Sequence, residues 1–236
     1  MSALVTGGSS GIGLEIVKQL LAQKTEVVSL DLKPSPEKKA RHLAVDLTDP
    51  AATAWAAAEI AKKHQVTTLI HNAGTIRPAL LPEVKVEDLT ALVNLHLSAA
   101  LILLQACLPA MTAAGFGRVV LVSSRAVLGL PTRTSYSATK AGMLGMARTW
   151  ALELAPQGIT VNVVAPGPIE TDNFHSIVPR GSPQVDKVTQ SIPVKRLGQA
   201  GDVARAVLFF AHRDNGFVTG QVLYVCGGTS VGTLTL

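Results

Sequence analysis

Short apolar runs rich in β-branched residues alternate with helical stretches along almost the whole chain. The runs lie near residues 2–6, 26–30, 42–45, 67–70, 117–123, 159–164 and 221–225. Continuous apolar runs are typical of parallel strands buried on both faces, and the intervening helices supply the crossover connections. The pattern predicts an α/β fold. We expect one doubly wound parallel sheet of about seven strands, with helices on both faces, in a single domain over residues 1–236.

Composition supports a protein of this class. The 236 residues are 47% hydrophobic but only 4% aromatic, so Val, Leu, Ile and Ala must fill the core. The net charge of +5 comes from scattered basic residues. The densest group, Lys38, Lys39 and Arg41, has no interleaved aromatic residues. We therefore expect no nucleic acid partner.

The cysteines and the N-terminus predict a cytoplasmic protein. Cys107 and Cys226 have no paired spacing, which favours a reducing compartment and argues against a disulfide or a metal site. The chain passes from Met1 almost directly into a strand-like run, which leaves no room for a signal peptide. Residues 89–111 carry no charge, but interspersed polar residues and a proline favour a buried helix over a membrane span. No membrane partner is expected.

A glycine-rich turn follows the first strand and precedes an amphipathic helix. Gly7, Gly11 and Gly13 would let the backbone approach a pyrophosphate, which the N-terminus of the helix attracts. The spacing does not match the dinucleotide fingerprint G-x-G-x-x-G. The turn alone is therefore a weak indication of nucleotide binding.

Asp31 ends the second strand about 20 residues after the glycine turn. A carboxylate at this point can accept hydrogen bonds from the ribose hydroxyls of an adenosine and would repel a 2′-phosphate. Ser10 stands where an arginine or lysine could have bound that phosphate, and we interpret Lys33 as a solvated loop residue. These residues predict NAD as the cofactor, with NADP less favoured.

Tyr136 and Lys140 lie four residues apart in a helical stretch and therefore share one helix face. An ammonium close to a phenol favours the phenolate, and each unit of pKa change amounts to about 1.4 kcal/mol. The pair can therefore act as a general acid and base. Without structural context, this spacing is more often explained by a surface tyrosine and a solvated lysine.

Several segments together resemble the short-chain dehydrogenase/reductase family, and the resemblance covers nearly the whole chain. The segments are Thr6-Gly7 with Gly11 and Gly13, Asn72-Ala73-Gly74, Ser124 with Tyr136 and Lys140, and residues 161–171, 196–204 and 218–228. In that family they form the cofactor loop, a second signature, the active site, the exit of the sixth strand and the closing segment. The resemblance implies a Rossmann-type fold and a member similar to 3-oxoacyl reductases or alcohol dehydrogenases.

The resemblance also implies the cofactor contacts, which follow the ends of strands or lie on the active-site helix. They are Gly7, Ser9, Ser10, Gly11, Ile12, Gly13, Asp31, Asp46, Leu47, Asn72, Ala73, Gly74, Tyr136, Lys140, Pro166, Gly167, Ile169 and Thr171. Strand ends converge at the edge where a doubly wound sheet binds its ligand. Asp46 has an alternative role, as the N-cap of a helix that starts near Pro50.

Two positions of the implied active site leave alternatives open. Consecutive strand residues face opposite sides, so only one of Ser123 and Ser124 can point into the site. Matching residues 117–122 to the family's strand selects Ser124, whereas counting back from Tyr136 favours Ser123.

His96 stands where the family has a fourth active-site residue, an asparagine whose backbone carbonyl holds a water in a proton chain. His96 could keep that role, add an imidazole to the chain, or only pack. His71 stands where the family often has an asparagine, and we expect it to be structural.

The implied function is an NAD(H)-dependent oxidoreductase that interconverts a secondary alcohol and a ketone by hydride transfer. Tyr136 would exchange the proton, Ser124 would orient the substrate oxygen, and Lys140 would bind the nicotinamide ribose and lower the pKa of Tyr136. Ile169 and Thr171 would orient the carboxamide. The alternative, motivated by His96, is a catalytically silent dinucleotide-binding regulator or scaffold of the same fold.

The substrate would be a small alcohol or ketone. Residues 168–192 predict a mobile flap over it, and residues 75–90 predict the opposite wall. A moderately apolar pocket is suggested by Leu128, Leu130, Ile177 and Val178. Arg180 or His175 could meet an acidic group of the substrate in that pocket. The apolar faces of the helices at 89–111 and 137–155 exceed what one sheet covers, so we expect a homodimer or homotetramer.

Overall fold

A parallel sheet of seven strands forms the centre of the computed structural model, which describes residues 2–231. The strands are β1 (Ser2–Thr6), β2 (Glu26–Asp31), β3 (Arg41–Ala44), β4 (Val66–His71), β5 (Gly117–Val122), β6 (Ile159–Pro166) and β7 (Val222–Val225). Their spatial order is β3-β2-β1-β4-β5-β6-β7, and every neighbouring pair is parallel. The predicted doubly wound sheet is confirmed, and its strand order reverses between β1 and β4.

Helices cover both faces of the sheet, as the alternating pattern predicts. They are α1 (Gly11–Ala22), α2 (Pro50–Lys63), α3 (Val86–Val93), α4 (Ala99–Ala114), α5 (Thr134–Leu154), α6 (Asp172–His175), α7 (Pro183–Ser191) and α8 (Ala200–Ala211). On one face α1 and α8 pack together, and on the other α2, α4 and α5 pack against the strands. Each face therefore has its own apolar core layer, separated by the sheet.

The inner strands β5 and β6 explain why the sequence shows continuous apolar runs. Every residue of β5 and β6 is buried, because both of their faces lie under helices. A strand with one solvated face would alternate apolar and polar residues instead. The edge strand β3 is exposed or only partly buried at all four positions, so its pattern is weaker.

The uncharged stretch at 89–111 lies inside one continuous helical segment, Val86–Ala114. This segment is long and apolar enough to cross a bilayer by length and composition. Here α4 packs against β4, β5 and α2, and its fully buried side chains include Leu103 and Met111. Between α3 and α4, residues Asn94–Ser98 form a π-helical turn, an irregularity that often marks a functional site.

Candidate active site

The glycine turn between β1 and α1 is as tight as its sequence suggests. A Cβ on Gly13 would lie 1.9 Å from the carbonyl oxygen of Gly7, so only glycine fits there. Gly7 itself has a φ of +66°, which favours glycine. Ser10 precedes α1, is exposed and makes no capping hydrogen bond with its side chain. The turn therefore presents backbone N–H groups and a free hydroxyl, which suits a pyrophosphate.

Asp31 lies at the carboxyl end of β2, beside this turn. Its carboxylate accepts hydrogen bonds from the backbone N–H groups of Ser9, at 3.0 Å, and Lys33, at 3.1 Å. The hydroxyl of Ser9 donates to the Lys33 carbonyl at 2.7 Å. These bonds fix the carboxylate next to the glycine turn, and the side chain remains partly accessible.

Asn72 and Thr6 join the ends of β4 and β1. The side-chain amide of Asn72 donates to the carbonyls of Thr6 and Gly7, both at 3.2 Å. The Thr6 hydroxyl accepts from the backbone N–H groups of Asn72, at 3.0 Å, and Ala73, at 2.9 Å. The Asn72-Ala73-Gly74 segment is thereby held against the glycine turn.

Asp46 does not cap the helix that follows it. The N-cap of α2 is Asp49, whose carboxylate accepts from the N–H groups of Ala51 and Ala52. Asp46 is exposed and accepts from the backbone and hydroxyl of Thr48, while Leu47 is buried. The capping alternative for Asp46 is therefore wrong.

The exit of β6 reaches the same turn from the other side. A Cβ on Gly11 would lie 3.3 Å from the side chain of Thr171. The Thr171 hydroxyl caps α6 by accepting from the N–H of Phe174 at 3.3 Å. Pro166 and Gly167 lead into this exit, where Ile169 forms a parallel bridge with Gly198. The structure thus brings Thr171 next to the glycine turn.

The two adjacent serines face opposite directions, as strand alternation requires. Ser123 is buried, and its hydroxyl donates to the carbonyl of Lys140 at 2.8 Å. The Ser124 hydroxyl accepts from the N–H of Ala126 at 3.1 Å and interacts with the phenol of Tyr136. Ser124 is therefore the serine on the tyrosine side.

Lys140 is buried behind Tyr136 on the same face of α5. Its Nζ donates to the carbonyl of Val122 at 2.7 Å and lies 5.8 Å from the centre of the Tyr136 ring. Burial lowers the pKa of Lys140 to about 7. This lysine can therefore gain or lose a proton near neutral pH.

Lys140 does not lower the pKa of Tyr136 in this arrangement. Burial raises the pKa of the phenol, and this effect exceeds the lowering by Ser124 and by the guanidinium of Arg133. The Lys140 ammonium contacts a backbone carbonyl and the ring rather than the hydroxyl. Arg133, a buried residue at the start of α5, is the nearby cation that the sequence analysis missed.

His96 lies in the π-helical turn, fully buried, with its ring edge-on to that of Tyr136 at 5.7 Å. Its Nδ1 contacts the Thr139 hydroxyl at 2.9 Å. That hydroxyl donates its proton to a helix carbonyl, so Nδ1 must be the donor in this contact. Nε2 is then an acceptor, and it is buried with no partner among residues 2–231.

Gly74 lies close to both His96 and Lys140. A Cβ on Gly74 would lie 3.1 Å from Nε2 of His96 and 3.3 Å from Nζ of Lys140. The two nitrogens therefore face the same side of Gly74. Burial, the charge of Lys140 and the nearby His71 hold the pKa of His96 far below its usual value, so the ring is neutral.

His71 has both ring nitrogens satisfied. Its Nδ1 contacts the Thr6 hydroxyl and its Nε2 the carbonyl of Leu95, each at 3.0 Å. Burial lowers the pKa of His71 to about 3, so it too is neutral. It links the glycine-turn strand to the π-helical turn, in the manner of a structural residue.

The proposed flap, residues 168–192, contains the short helices α6 and α7 and is largely exposed. Arg180 pairs with Asp172 at 2.8 Å, and both side chains are mostly exposed. His175 contacts the carbonyl of Val178 at 3.0 Å. Both candidate anion-binding residues therefore already have partners within the flap.

Comparison with known proteins identifies the family. The sequence matches the family model described as Enoyl-(Acyl carrier protein) reductase over residues 7–230. The chain belongs to the short-chain dehydrogenase/reductase family. The Rossmann-like sheet and the order of motifs agree with this assignment.

Curated relatives and solved structures match this short-chain dehydrogenase/reductase along its length. The (2S)-[(R)-hydroxy(phenyl)methyl]succinyl-CoA dehydrogenase subunit BbsD of Thauera aromatica is 36% identical, over 97% of this chain and 96% of that protein. The 3-oxoacyl-[acyl-carrier-protein] reductase FabG of Escherichia coli is 34% identical, over 96% of each. A structure of a putative gluconate 5-dehydrogenase from Beutenbergia cavernae with bound NADP has a TM-score of 0.89 and 31% identity, over 96% and 95% of the two chains.

The site of this short-chain dehydrogenase/reductase fits a nicotinamide dinucleotide. The close packing of Gly13 on Gly7 makes a tight turn before α1, of the kind whose backbone N–H groups bind a pyrophosphate, and the Asp31 carboxylate lies beside it. Together with family membership, this supports a nicotinamide dinucleotide as the cofactor of an oxidoreductase.

Proposed function

We propose that this chain is a cytoplasmic NAD(H)-dependent oxidoreductase that interconverts a secondary alcohol and a ketone. The observation that carries the proposal is the grouping of Ser124, Tyr136 and Lys140 beyond the end of β5, in the sheet edge that also holds the glycine turn. Family membership supports oxidoreductase chemistry on a small molecule.

NAD as the preferred cofactor is supported by Asp31. A carboxylate at the end of β2 suits two ribose hydroxyls and repels a 2′-phosphate. The gluconate 5-dehydrogenase structure contains NADP, and a similar YwfH structure is of an NADPH-dependent reductase.

Tyr136, Ser124 and Lys140 would each have a separate role in the reaction. The nicotinamide supplies or accepts the hydride when it is bound. Tyr136 donates its phenolic proton to the carbonyl oxygen in reduction and accepts the alcohol proton in oxidation. Ser124 orients the same oxygen by a hydrogen bond, and Lys140 stands behind Tyr136 at the ribose position, with a pKa of about 7.

His96 would act on Lys140 rather than on the substrate. Its Nε2 acceptor and the Lys140 Nζ face the same side of Gly74, so the imidazole would act on the charge of the lysine. The remaining cofactor residues, including Ile12, Leu47, Ile169 and Thr171, would line the dinucleotide along the strand ends.

Replacing Tyr136 with Phe tests the proposed reaction. We expect Tyr136→Phe to bind NADH as the wild type does and to lose about 100- to 10,000-fold of kcat, because the ring stays while the transferable proton is gone. NADH binding is measured by fluorescence and turnover on a panel of secondary alcohols, polyols, hydroxy acids and acyl thioesters. Physiological activity that survives intact in this variant would instead favour the regulator or scaffold.

The assembly and compartment are also part of the proposal. Leu101 on α4 and Leu152 on α5 are 40% and 81% exposed, and apolar side chains at such positions support a homodimer or homotetramer. Cys107 and Cys226 are free thiols, as a reducing compartment requires. Nothing in the proposal involves a nucleic acid or membrane partner.

A further inference from the structure

Arg133 is a buried arginine without a counter-ion. The residue is only 9% exposed. Its Nη1 donates to the carbonyl of Thr132 at 3.3 Å and to the Thr132 hydroxyl. Within residues 2–231, no carboxylate lies within 4.0 Å of its guanidinium, and its Nε and Nη2 groups donate no hydrogen bond.

This arrangement leaves two donor groups of the guanidinium available in the ligand-free protein. A guanidinium keeps its charge in proteins, and partial burial lowers the pKa of Arg133 by desolvating that charge. Arg133 also occupies the N-cap of α5, and the first turn of that helix contains no acidic residue. The positive end of the helix and the guanidinium therefore lie together, opposite to the usual preference. An anion at this point would satisfy both.

The backbone holds Arg133 in this position. Thr132 has a φ of +66°, a conformation that β-branched residues rarely adopt. Its carbonyl accepts from the N–H of Ala79 at 3.1 Å, and Ala79 and Arg133 form a parallel bridge. The strained turn is thus attached to Ala79, in the segment 75–90 that was predicted to form one wall of the substrate site. Strain of this kind persists where the surrounding structure enforces it, often at functional sites.

The guanidinium is on the tyrosine side of the cleft. Arg133 precedes Tyr136 by three residues, which advances a helix by about 4.5 Å. It is close enough to lower the pKa of the phenol. A group bound to Arg133 would therefore lie near the oxygen that Tyr136 serves.

We propose that Arg133 binds a carboxylate of the substrate, so that the substrate is a short-chain hydroxy acid and the product the corresponding oxo acid. This inference rests on the proposed alcohol and ketone chemistry and names its substrate class. Two free N–H donors of Arg133 match the two oxygens of a carboxylate. The hydroxyl to be oxidised would be at carbon 2, 3 or 4 of the acid.

Arg180, in the proposed flap, is the other arginine that could bind a substrate carboxylate. It also carries a guanidinium, but it is 63% exposed at the side chain and already pairs with Asp172. A substrate carboxylate would have to displace that partner. The geometry therefore favours Arg133 over Arg180 as the residue that selects for an acid.

Matched substrate pairs test the proposal. Lactate, 3-hydroxybutyrate and 4-hydroxypentanoate are compared with their methyl esters, by kcat/KM, in wild type, Arg133→Gln and Arg180→Gln. We expect at least one acid to exceed its ester in the wild type by about 100-fold. Arg133→Gln should lower the value for that acid by about 100-fold while changing the ester by no more than about threefold. Arg180→Gln should leave the ratio of acid to ester unaltered.

Binding of keto acids to the NADH complex tests the role of Arg133 independently of catalysis. The keto acids pyruvate, acetoacetate and 4-oxopentanoate are titrated into the complex of each variant with NADH, and the change in NADH fluorescence gives Kd. We expect Tyr136→Phe to weaken the binding by about tenfold or less, the value of one hydrogen bond between neutral groups, and Arg133→Gln to weaken it by about 100-fold. Circular dichroism and NADH affinity check that Arg133→Gln is folded.

The outcomes separate the two proposals. If Tyr136→Phe retains full turnover, the reaction mechanism is wrong, whatever Arg133 binds. If the esters match the acids in the wild type, if no keto acid binds the NADH complex at millimolar concentration, or if Arg180→Gln rather than Arg133→Gln removes the discrimination, then Arg133 is not the carboxylate-binding residue.

Discussion

The cofactor side and the substrate side of the cleft differ in how far their polar groups are satisfied. On the cofactor side, Asp31 accepts two backbone N–H bonds and the Asn72 amide bonds two carbonyls. On the substrate side, Nε2 of His96 is buried without a partner, and Arg133 has no carboxylate within 4.0 Å among residues 2–231. The Asp31 carboxylate and the Asn72 amide are therefore held by the protein itself, whereas Nε2 of His96 and two donor groups of Arg133 have no such partner among the described residues.

This difference predicts different consequences of mutation on the two sides. The cofactor cradle is built from hydrogen bonds between side chains and backbone at the ends of the paired strands β1, β2 and β4, so damage there should cost folding free energy as well as affinity. The substrate side contributes less to the fold, so changes there should appear as altered selectivity or pH dependence.

The largest effect is expected for Gly13→Ala. The added methyl would lie 1.9 Å from the Gly7 carbonyl oxygen, so the turn between β1 and α1 must move. We expect the free energy of unfolding to fall by about 3 kcal/mol, the upper end for an overpacked site. We also expect NADH binding to be lost. Urea unfolding and NADH fluorescence measure the two.

Gly145→Ala is the matched control for this prediction. Gly145 is an exposed position of α5, and a Cβ there would meet nothing within 4 Å. Alanine should stabilise that helix by about 0.5–1 kcal/mol. Equal free energies of unfolding for the two variants would show that the tight turn does not stabilise the fold.

A smaller effect is expected for Asp31→Ala. Removing the carboxylate should weaken NADH binding by about 10- to 100-fold, the value of a hydrogen bond to a charged group, and should weaken NADPH binding less. Asp49→Ala is the control, because Asp49 caps α2 and should change stability by about 1 kcal/mol without changing affinity. Equal losses for NADH and NADPH would remove the assignment of NAD to this chain.

The features of the cofactor side could be predicted because they depend on local sequence. Strand periodicity located β1 and β2, and the spacing of glycines indicated a turn that requires the small residue at Gly13. Strand alternation separated Ser123 from Ser124 once the end of β5 was placed. Each of these depends on residues within one or two elements.

The features of the substrate side depend on contacts between distant segments, which the sequence pattern does not contain. Arg133 is buried because a left-handed Thr132 and a bridge to Ala79 turn the chain inward. The pKa of Lys140 is about 7 because it is buried behind Tyr136, whereas helix spacing alone suggested a charged lysine that lowers the tyrosine pKa. Burial and partner direction, rather than residue type, decide both.

The smallest and most selective effect is expected for His96→Asn. The neutral imidazole places an acceptor, Nε2, on the same side of Gly74 as the Lys140 ammonium, which favours the protonated lysine. Asparagine is too short to present the same acceptor, so the pKa of Lys140 should fall further below about 7. The ionisation near neutral pH in the profile of kcat/KM should then move to lower pH by about half a unit, or ~0.7 kcal/mol.

The control for this shift is His212→Asn, an equivalent substitution at a histidine that is 56% exposed at the end of α8. It should leave the profile unchanged, because His212 is remote in the fold from the strand ends that carry the site. If the pH profile of His96→Asn overlays that of the wild type, His96 has only a packing role. The unpartnered Nε2 would then take no part in proton transfer. A shift to higher pH would mean that the imidazole disfavours the charged lysine, which would reverse the electrostatic argument while still placing His96 in contact with the chemistry through Lys140.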